Sequence, residues 1–468
     1  MQRNISELQH KKMTETPINR LLVSLSLPSV VNMLLSSIYN MADTYFVTSL
    51  GESAIGGVGI VFSIQSLIQA VGFGVSMGGS SIVSRRLGEK DNDSANKYAS
   101  SAIVMGLALG LTIAVICLSV LNPLLRIIGA TETILPYARD YATVILIAAP
   151  LMCTSFVLGP LLRAEGRATF SMLVGLSGGL INMALDPIFI FVFDLGVKGA
   201  AIATAISQVI SFSMAMSFYV FKKGVIKISL KYISKDLKDY LLIIKTGAPT
   251  VFRQGLGSVA TTLLNVRVKI YGDAAVAAVS LANKIYMFIR AIVLGVGQGF
   301  QPIAGYNYGA KLYDRVKKVF IWATFFGSVV ACIGAIGCAV IPEKIINIFG
   351  AENPDVARIG GRLLLMYSIE LPLLGFSSYV NMMYQSLGFV KGATFLASCR
   401  QGVYFIPLIL TLPYFFGMDG VLLTQPIADI LTFITAVPFC IWFIKNILNT
   451  KKTPDFRDVL NGELMGGM

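Results

Sequence analysis

Twelve apolar blocks run through this chain, each close to or longer than the roughly 20 residues that carry an α-helix across a bilayer. Their approximate spans are 21–48, 54–82, 97–121, 137–162, 168–193, 198–221, 241–270, 275–300, 317–342, 357–388, 391–416 and 420–446. Strands of a membrane β-barrel would be short and would alternate apolar with polar residues; these runs do neither. Composition agrees, with 55% of the 468 residues hydrophobic and 13% charged and a mean hydropathy of +0.72. A soluble domain is not built this way. The expected fold class is an all-α integral membrane protein with twelve transmembrane helices.

Residues 1–20 are polar (Arg3, His10, Lys11, Lys12, Arg20) and lack the apolar core of a signal peptide, so the first block is expected to stay in the mature protein. The net charge of +13 invites a nucleic-acid reading, but its distribution argues against one. Lys and Arg gather in alternate loops: Arg85/Arg86/Lys90, Arg163/Arg167, Lys222 to Lys238, Lys311 to Lys318, and Lys445/Lys451/Lys452. By the positive-inside rule, both termini and the long central loop are cytoplasmic. The six cysteines all fall inside apolar blocks, at spacings that fit neither a metal site nor a disulfide framework. Small buried apolar side chains explain them.

Laying the chain on itself with Pro28 over Pro249 reveals a repeat. In that one register Gly51-Glu52-Ser53-Ala54 falls on Gly272-Asp273-Ala274-Ala275, Gly78 on Gly299, and Lys90 on Lys311. Gly129-Ala130 meets Gly350-Ala351, Gly196/Gly199 meet Gly417/Gly420, and a slip of a single position aligns Pro150 with Pro372 and Gly166 with Gly388. The chain is therefore expected to be two pseudo-symmetric six-helix bundles. Its parts are a cytoplasmic segment 1–20, an N-terminal lobe 21–221, a basic linker 222–240, a C-terminal lobe 241–446 and a tail 447–468. Six is even, so both halves enter the membrane from the same side. That arrangement predicts a two-fold along the membrane normal and a substrate cleft where the halves meet.

Ionisable residues at membrane depth cost at least ~2.5–3.5 kcal/mol each and are functional candidates by default. Asp43 lies near the outer end of the first helix. Asn182 and Asp186 lie roughly 23–29 Å beyond Arg167 along the fifth, and Thr204 roughly 9 Å below the outer end of the sixth. Two carboxylates, an amide and a hydroxyl thus reach similar depth in the outer part of the N-terminal half. Asn182 and Asp186 share a helix face, and Pro187 after them frees a backbone carbonyl. The set suits Na⁺ held by hard oxygen ligands. It also suits a shared proton, because two like charges in a low dielectric do not readily ionise together. The positions equivalent to Asp43, Asn182 and Asp186 in the second copy are Leu264, Val403 and Pro407, so the duplication kept the scaffold without the acids.

The C-terminal half carries Arg253, Lys284, Arg290, Glu370, Arg400 and Asp429 nearer mid-depth. Internal ion pairs are one reading and a polar cavity lining is the other. No phosphate-loop motif occurs, so ATP hydrolysis by this chain is not expected. Gly295-Val296-Gly297-Gln298-Gly299 sits at the end of a membrane helix, where close packing explains it. His10 is the only histidine, which leaves no histidine relay within the membrane.

Several stretches resemble one family along nearly the whole chain. They are Leu25-Ser26-Leu27-Pro28, Tyr39-Asn40-Met41-Ala42-Asp43-Thr44, Leu162-Arg163-Ala164-Glu165-Gly166, Ile181-Asn182-Met183-Ala184-Leu185-Asp186-Pro187 and the segment Gly299 to Lys311. The chain resembles MATE (multidrug and toxic compound extrusion) transporters, nearest the prokaryotic branch with DinF-like and MepA-like exporters. The resemblance implies a non-enzymatic antiporter that exports small amphipathic, often cationic compounds in exchange for H⁺ or Na⁺. It places the coupling-cation site on Asp43, Asn182, Asp186 and Thr204, and helix kinks at Pro28 and Pro187. Tyr39, Asn40, Arg253, Lys284, Glu370 and Asp429 are candidate substrate-cavity residues. Two departures stand out. Leu158-Gly159-Pro160 replaces an Asn that many relatives carry in the fourth helix. The seventh helix has only Lys245, Arg253, Arg267 and Lys269, without the carboxylate of NorM-like members.

No cofactor is expected beyond H⁺ or Na⁺ as coupling ion. The expected partners are a small-molecule substrate and the bilayer of the cell membrane, with no nucleic acid, no ATPase subunit and a monomeric state. A flippase for lipid-linked precursors is the alternative, since Arg253, Lys284 and Arg290 could attract a pyrophosphate headgroup. Such relatives usually carry extra helices.

Overall fold

The computed structural model describes residues 2–348 and 353–449, with the side chains of residues 2–4, 40–45 and 48 outside that description. Asn40 and Asp43, the repeat positions Gly350 and Ala351, and most of the tail therefore lie outside the described side chains or residues. Among the described residues every regular element is helical. The first half holds α1 (Gln2–Glu15), α2 (Ile18–Thr48), α3 (Glu52–Gly88), α4 (Asn92–Ser119), α5 (Leu121–Ile128), α6 (Leu135–Ala164), α7 (Ala168–Pro187) and α8 (Gly196–Val220). The second holds α9 (Leu237–Lys269), α10 (Asp273–Gly309), α11 (Tyr313–Val340), α12 (Pro342–Ile348), α13 (Pro354–Leu387), α14 (Val390–Ser398) and α15 (Phe405–Phe443). The short α5 and α12 occupy equivalent places in the two halves, each after the third long helix. Alpha-helices spend their backbone donors internally, which is what a lipid environment demands.

Ten stretches are long and apolar enough to cross a membrane. One of them, Val390–Leu448, is two traverses joined at Gly417, whose φ of 56° and ψ of −134° break the helix. Contacts between the arms show the reversal: Gly420 packs on the Leu412 carbonyl beside the bend, Gln401 bonds Gln425 further along, and the Phe395 and Phe439 rings stack further still, so the arms run antiparallel. The remaining traverse is α9, whose 33 residues are long enough to span but include Arg253, Arg267 and Lys269. The twelve-helix membrane architecture is thus present.

The duplication is written into the backbone as well as the residues. Gly51 and Gly272 adopt φ of 96° and 90°, Lys90 and Lys311 adopt 61° and 60°, and Gly196 and Gly417 adopt 51° and 56°. Each pair is separated by the same single repeat length. A lysine in the left-handed region is uncommon, so its recurrence at one position of the repeat marks a common loop design.

The compact units do not part at the linker. One comprises Met1–Glu15 with Val31–Gly247, and the other Thr16–Val30 with Ala248–Met468. Residues 222–240 still join the two copies of the repeat, but the first turns of α2 pack with the second half and those of α9 with the first. Glycine spacing accounts for this. Within the first unit, a Cβ on Gly78 would collide with the Ile243 carbonyl oxygen, and one on Gly247 with that of Gly74. Within the second, Gly295 and Gly299 receive the backbone of Val30 and Ser26 in the same way, and Ser26 Oγ donates to the Val296 carbonyl at 3.2 Å. Both seams are small-x-x-x-small contacts, which let helix backbones touch.

The linker is fastened to the first unit through its backbone. The amides of Val225, Lys227 and Ser234 donate to Glu165, Asn96 and Ser101 at 2.9, 2.7 and 2.9 Å. All six cysteines are unpaired and five are buried, in keeping with their apolar surroundings.

Candidate functional site

Three of the four residues expected at the cation site are brought together in the first unit. Asn182 and Asp186 stand one turn apart on α7, both buried, with Asp186 fully so. The Asn182 amide nitrogen donates to Asp186 Oδ1 at 3.2 Å and to Thr204 Oγ1 on α8 at 3.3 Å. Ser211 donates to the Val174 carbonyl lower in the same hairpin, so α7 and α8 run antiparallel with their polar groups in register. Pro187 has no N–H to offer the carbonyl one turn before it, and the chain continues as a π-helical turn, Ile188–Val192. Turns of this kind recur at functional sites.

Close packing brings α2 alongside. A Cβ on Gly175 would collide with the Asn32 amide, and one on Gly179 would come within 2.9 Å of the Tyr39 ring. Tyr39 therefore lies over α7 about one turn before Asn182. Counting forward at the common helical rise sets residue 43 of α2 level with Asn182. The Asp43 and Asn40 side chains are outside the described residues. Pro28 sits within the continuous α2.

The second unit holds a larger polar cluster at mid-depth. Arg400 projects from a π-helical turn, Cys399–Tyr404, between α14 and α15. It grips Asp429 on α15 with two bonds, Nε to Oδ1 at 2.5 Å and Nη2 to Oδ2 at 2.8 Å. Gln425 donates to the same carboxylate at 3.0 Å, and Tyr286 on α10 touches both partners. Arg400 and Asp429 thus form an internal ion pair of the kind that one of the two readings for this half expects. Glu370 on α13 is fully buried near Asp429, Arg400 and Tyr286, with neither carboxylate oxygen in a hydrogen bond of good geometry. Arg253 on α9 reaches only the Asn381 side-chain oxygen, at 3.4 Å. Lys284 is exposed and, standing well before Arg290 in the sequence, lies on a different face of α10.

Sequence inspection did not single out Tyr286, Tyr367, Asn283 or Asn381. Tyr367 donates to Asn283 at 2.7 Å and packs beside Tyr286 with ring centroids 4.5 Å apart. For Asn283 and Tyr286 the available signal was their helical spacing with Arg290 on one face of α10. No group of three or more His, Cys, Asp or Glu suited to a metal occurs among the described residues. The oxygen set of Asp186, Asn182 and Thr204 fits a monovalent hard cation or a proton better than a transition metal.

The sequence profile of the MatE family matches residues 28–188 and 249–411, one copy on each half. The chain belongs to the MatE family. Among curated relatives, the multidrug export protein MepA of Staphylococcus aureus is 28% identical over 450 residues, covering 96% of this chain and 98% of MepA. The MepA of Staphylococcus haemolyticus is 29% identical over 442 residues, covering 94% and 96%. Among solved structures, an outward-facing multidrug resistance MATE transporter of the MOP superfamily superposes with a TM-score of 0.88 at 25% identity, covering 94% of this chain and 98% of that one. A Pyrococcus furiosus MOP transporter described as having a binding pocket of reverse polarity gives 0.87 at 25% identity, covering 95% and 99%.

Membership in MatE makes the chain a multi-pass membrane transporter rather than an enzyme. The two family matches begin at Pro28 and Pro249, the residues that self-comparison superposes. The duplication seen within this sequence is therefore the family's own.

Proposed function

We propose that the chain is a secondary antiporter of the cell membrane that exports small amphipathic compounds in exchange for H⁺ or Na⁺, with both termini in the cytoplasm. The observation that carries the reading is the Asn182 amide bridging a fully buried Asp186 to Thr204. A carboxylate in that position is costly unless it serves an ion. The bridge has two outcomes built into it. Protonation of Asp186 removes the charge that Asn182 answers. A sodium ion would compete with the amide nitrogen for the Asp186 and Thr204 oxygens. Either event changes the link between α7 and α8, which is the differential interaction that coupling requires. The names of the MepA relatives support export over the flippase alternative.

The test is uptake of a fluorescent lipophilic cation into inverted vesicles, with pH and Na⁺ gradients imposed one at a time. Transport should follow one gradient and collapse when that gradient is dissipated. Transport indifferent to both would overturn antiport.

A further inference from the structure

We propose that the second bundle carries an oxyanion subsite formed by Arg253 and Arg290, which would bind the carboxylate of zwitterionic amphipathic substrates. This deepens the export reading and rests on it for the identity of the ligand as cargo.

The charge balance of the cluster is the starting point. Three guanidinium groups, Arg253 on α9, Arg290 on α10 and Arg400 on the π-turn, lie within electrostatic range of one another. Two carboxylates stand beside them, and neither forms an ion pair with Arg253 or Arg290. Asp429 is taken up by Arg400 in a two-bond pair. Glu370 has Asp429, Arg400 and Tyr286 as its charged and polar neighbours. Neither Arg253 nor Arg290 forms an ion pair with an acid among the described residues.

Their existing contacts are weak ones. Arg253 reaches an amide oxygen at 3.4 Å, Arg290 reaches the Met287 sulfur at 3.6 Å, and Arg290 Nε is buried without a partner. A guanidinium presents five donors in a planar fork, so both leave most of their capacity unspent. In a low dielectric two like charges repel strongly, and an anion between them would relieve that repulsion.

Reach and depth suit a ligand. Arg253, Arg290 and Arg400 are all half-buried while Asp429 is buried, and Arg400 is already taken up by Asp429, which leaves Arg253 and Arg290 as the guanidinium groups open to a ligand. Arg253 stands roughly 24 Å from the inner end of α9, and Arg290 about 25 Å from the outer end of α10. Two forks at mid-depth match a carboxylate, which accepts two parallel N–H bonds from a guanidinium it meets. A purely cationic compound would gain nothing there. A zwitterion would put its anionic end on this face.

The experiment titrates the purified full-length chain, in micelles with phosphatidylcholine, with the free acid and the ethyl ester of one rhodamine dye, read by fluorescence anisotropy. Arg253→Gln and Arg290→Gln should each weaken the free acid at least about tenfold while leaving the ester within about twofold. Arg290→Lys, which keeps the charge but loses the fork, should give a smaller loss confined to the acid. It also serves if the Gln variants do not fold. Equal loss of both dyes, or loss of neither, overturns the proposal. A phosphatidylglycerol arm separates the sources of the oxyanion. Arginine-dependent displacement of the acid dye would assign the subsite to a lipid phosphate and overturn the substrate assignment. No displacement keeps the carboxylate. Binding is read without a gradient, so failure of coupled export in vesicles would strike the antiport reading alone.

Discussion

Thr204 and Gln425 stand at the same point of the duplicated unit, and each ties together the arms of a helical hairpin. Thr204 accepts from Asn182 at 3.3 Å, and Gln425 accepts from Gln401 at 3.3 Å. The acids beside them differ. In the first unit the carboxylate is Asp186, on the ascending arm. In the second it is Asp429, on the descending arm, where Arg400 neutralises it. The duplication preserved the cross-link while the charge moved and acquired a counterion. Asp186 instead accepts from the neutral Asn182 amide, a bond that a cation can displace more readily than it can a bidentate guanidinium.

Asp186→Asn should therefore abolish coupled efflux with normal membrane expression, and Asp43→Asn should do the same. Thr204→Ala removes one acceptor and should only weaken transport. Dye extrusion from cells, normalised to protein in the membrane fraction, reads all three. Full efflux by both Asp variants would remove the site from consideration.

Much of this was legible in the chain because membrane helices advertise themselves by length, and a fixed rise converts residue number into depth. Asn182, Asp186 and Thr204 could be grouped on that basis alone. The pairing of Arg400 with Asp429 could not, since a π-turn changes the face on which Arg400 emerges. Neither could the burial of Glu165, which depends on a linker distant in sequence. The division of α2 at Val30 was hidden for a similar reason. Gly295 and Gly299 were legible as packing glycines, but nothing local says which backbone they receive.

Breaking the Arg400–Asp429 pair should destabilise the second unit. Arg400→Met leaves a buried carboxylate uncompensated, a loss of about 3–5 kcal/mol by analogy with other buried pairs. The double variant Arg400→Met with Asp429→Leu removes both charges and should recover most of that. Thermal unfolding in detergent provides the comparison. A double variant no more stable than the single one would mean that the ion pair is not the reason for the loss.

Glu165 makes stability depend on pH from outside the membrane. Burial pushes its carboxyl up from 4.5 to about 8, against the opposing amides of Val225 and Ile226 and the nearby Arg167. A carboxyl with a raised native pKa favours the folded state at low pH, and this contribution is lost as pH rises from the unfolded value through the native one. Wild-type protein should therefore lose stability between about pH 5 and pH 8 at this site. Glu165→Gln, which mimics the protonated form, should flatten that part of the profile. Unfolding midpoints across this range compare the two proteins, and identical slopes would rule Glu165 out as the source.

The glycine seams give a prediction with its own internal control on one helix. On α3, a Cβ at Gly78 would collide with the Ile243 carbonyl oxygen, while one at Gly59 would meet nothing within 4 Å. Backbone cannot retreat as a flexible side chain can, so Gly78→Ala should force α9 away at a cost of about 1–3 kcal/mol. Gly59→Ala gains helix propensity in open space and should be neutral or stabilising by roughly 0.5–1 kcal/mol. Gly299→Ala, one repeat later against Ser26, should behave like Gly78→Ala. If all three alanines shift the unfolding midpoint alike, propensity is deciding the outcome and the seams are not close-packed. If Gly78 and Gly299 fall together and Gly59 does not, the same backbone contact holds the first turns of α9 in one unit and of α2 in the other.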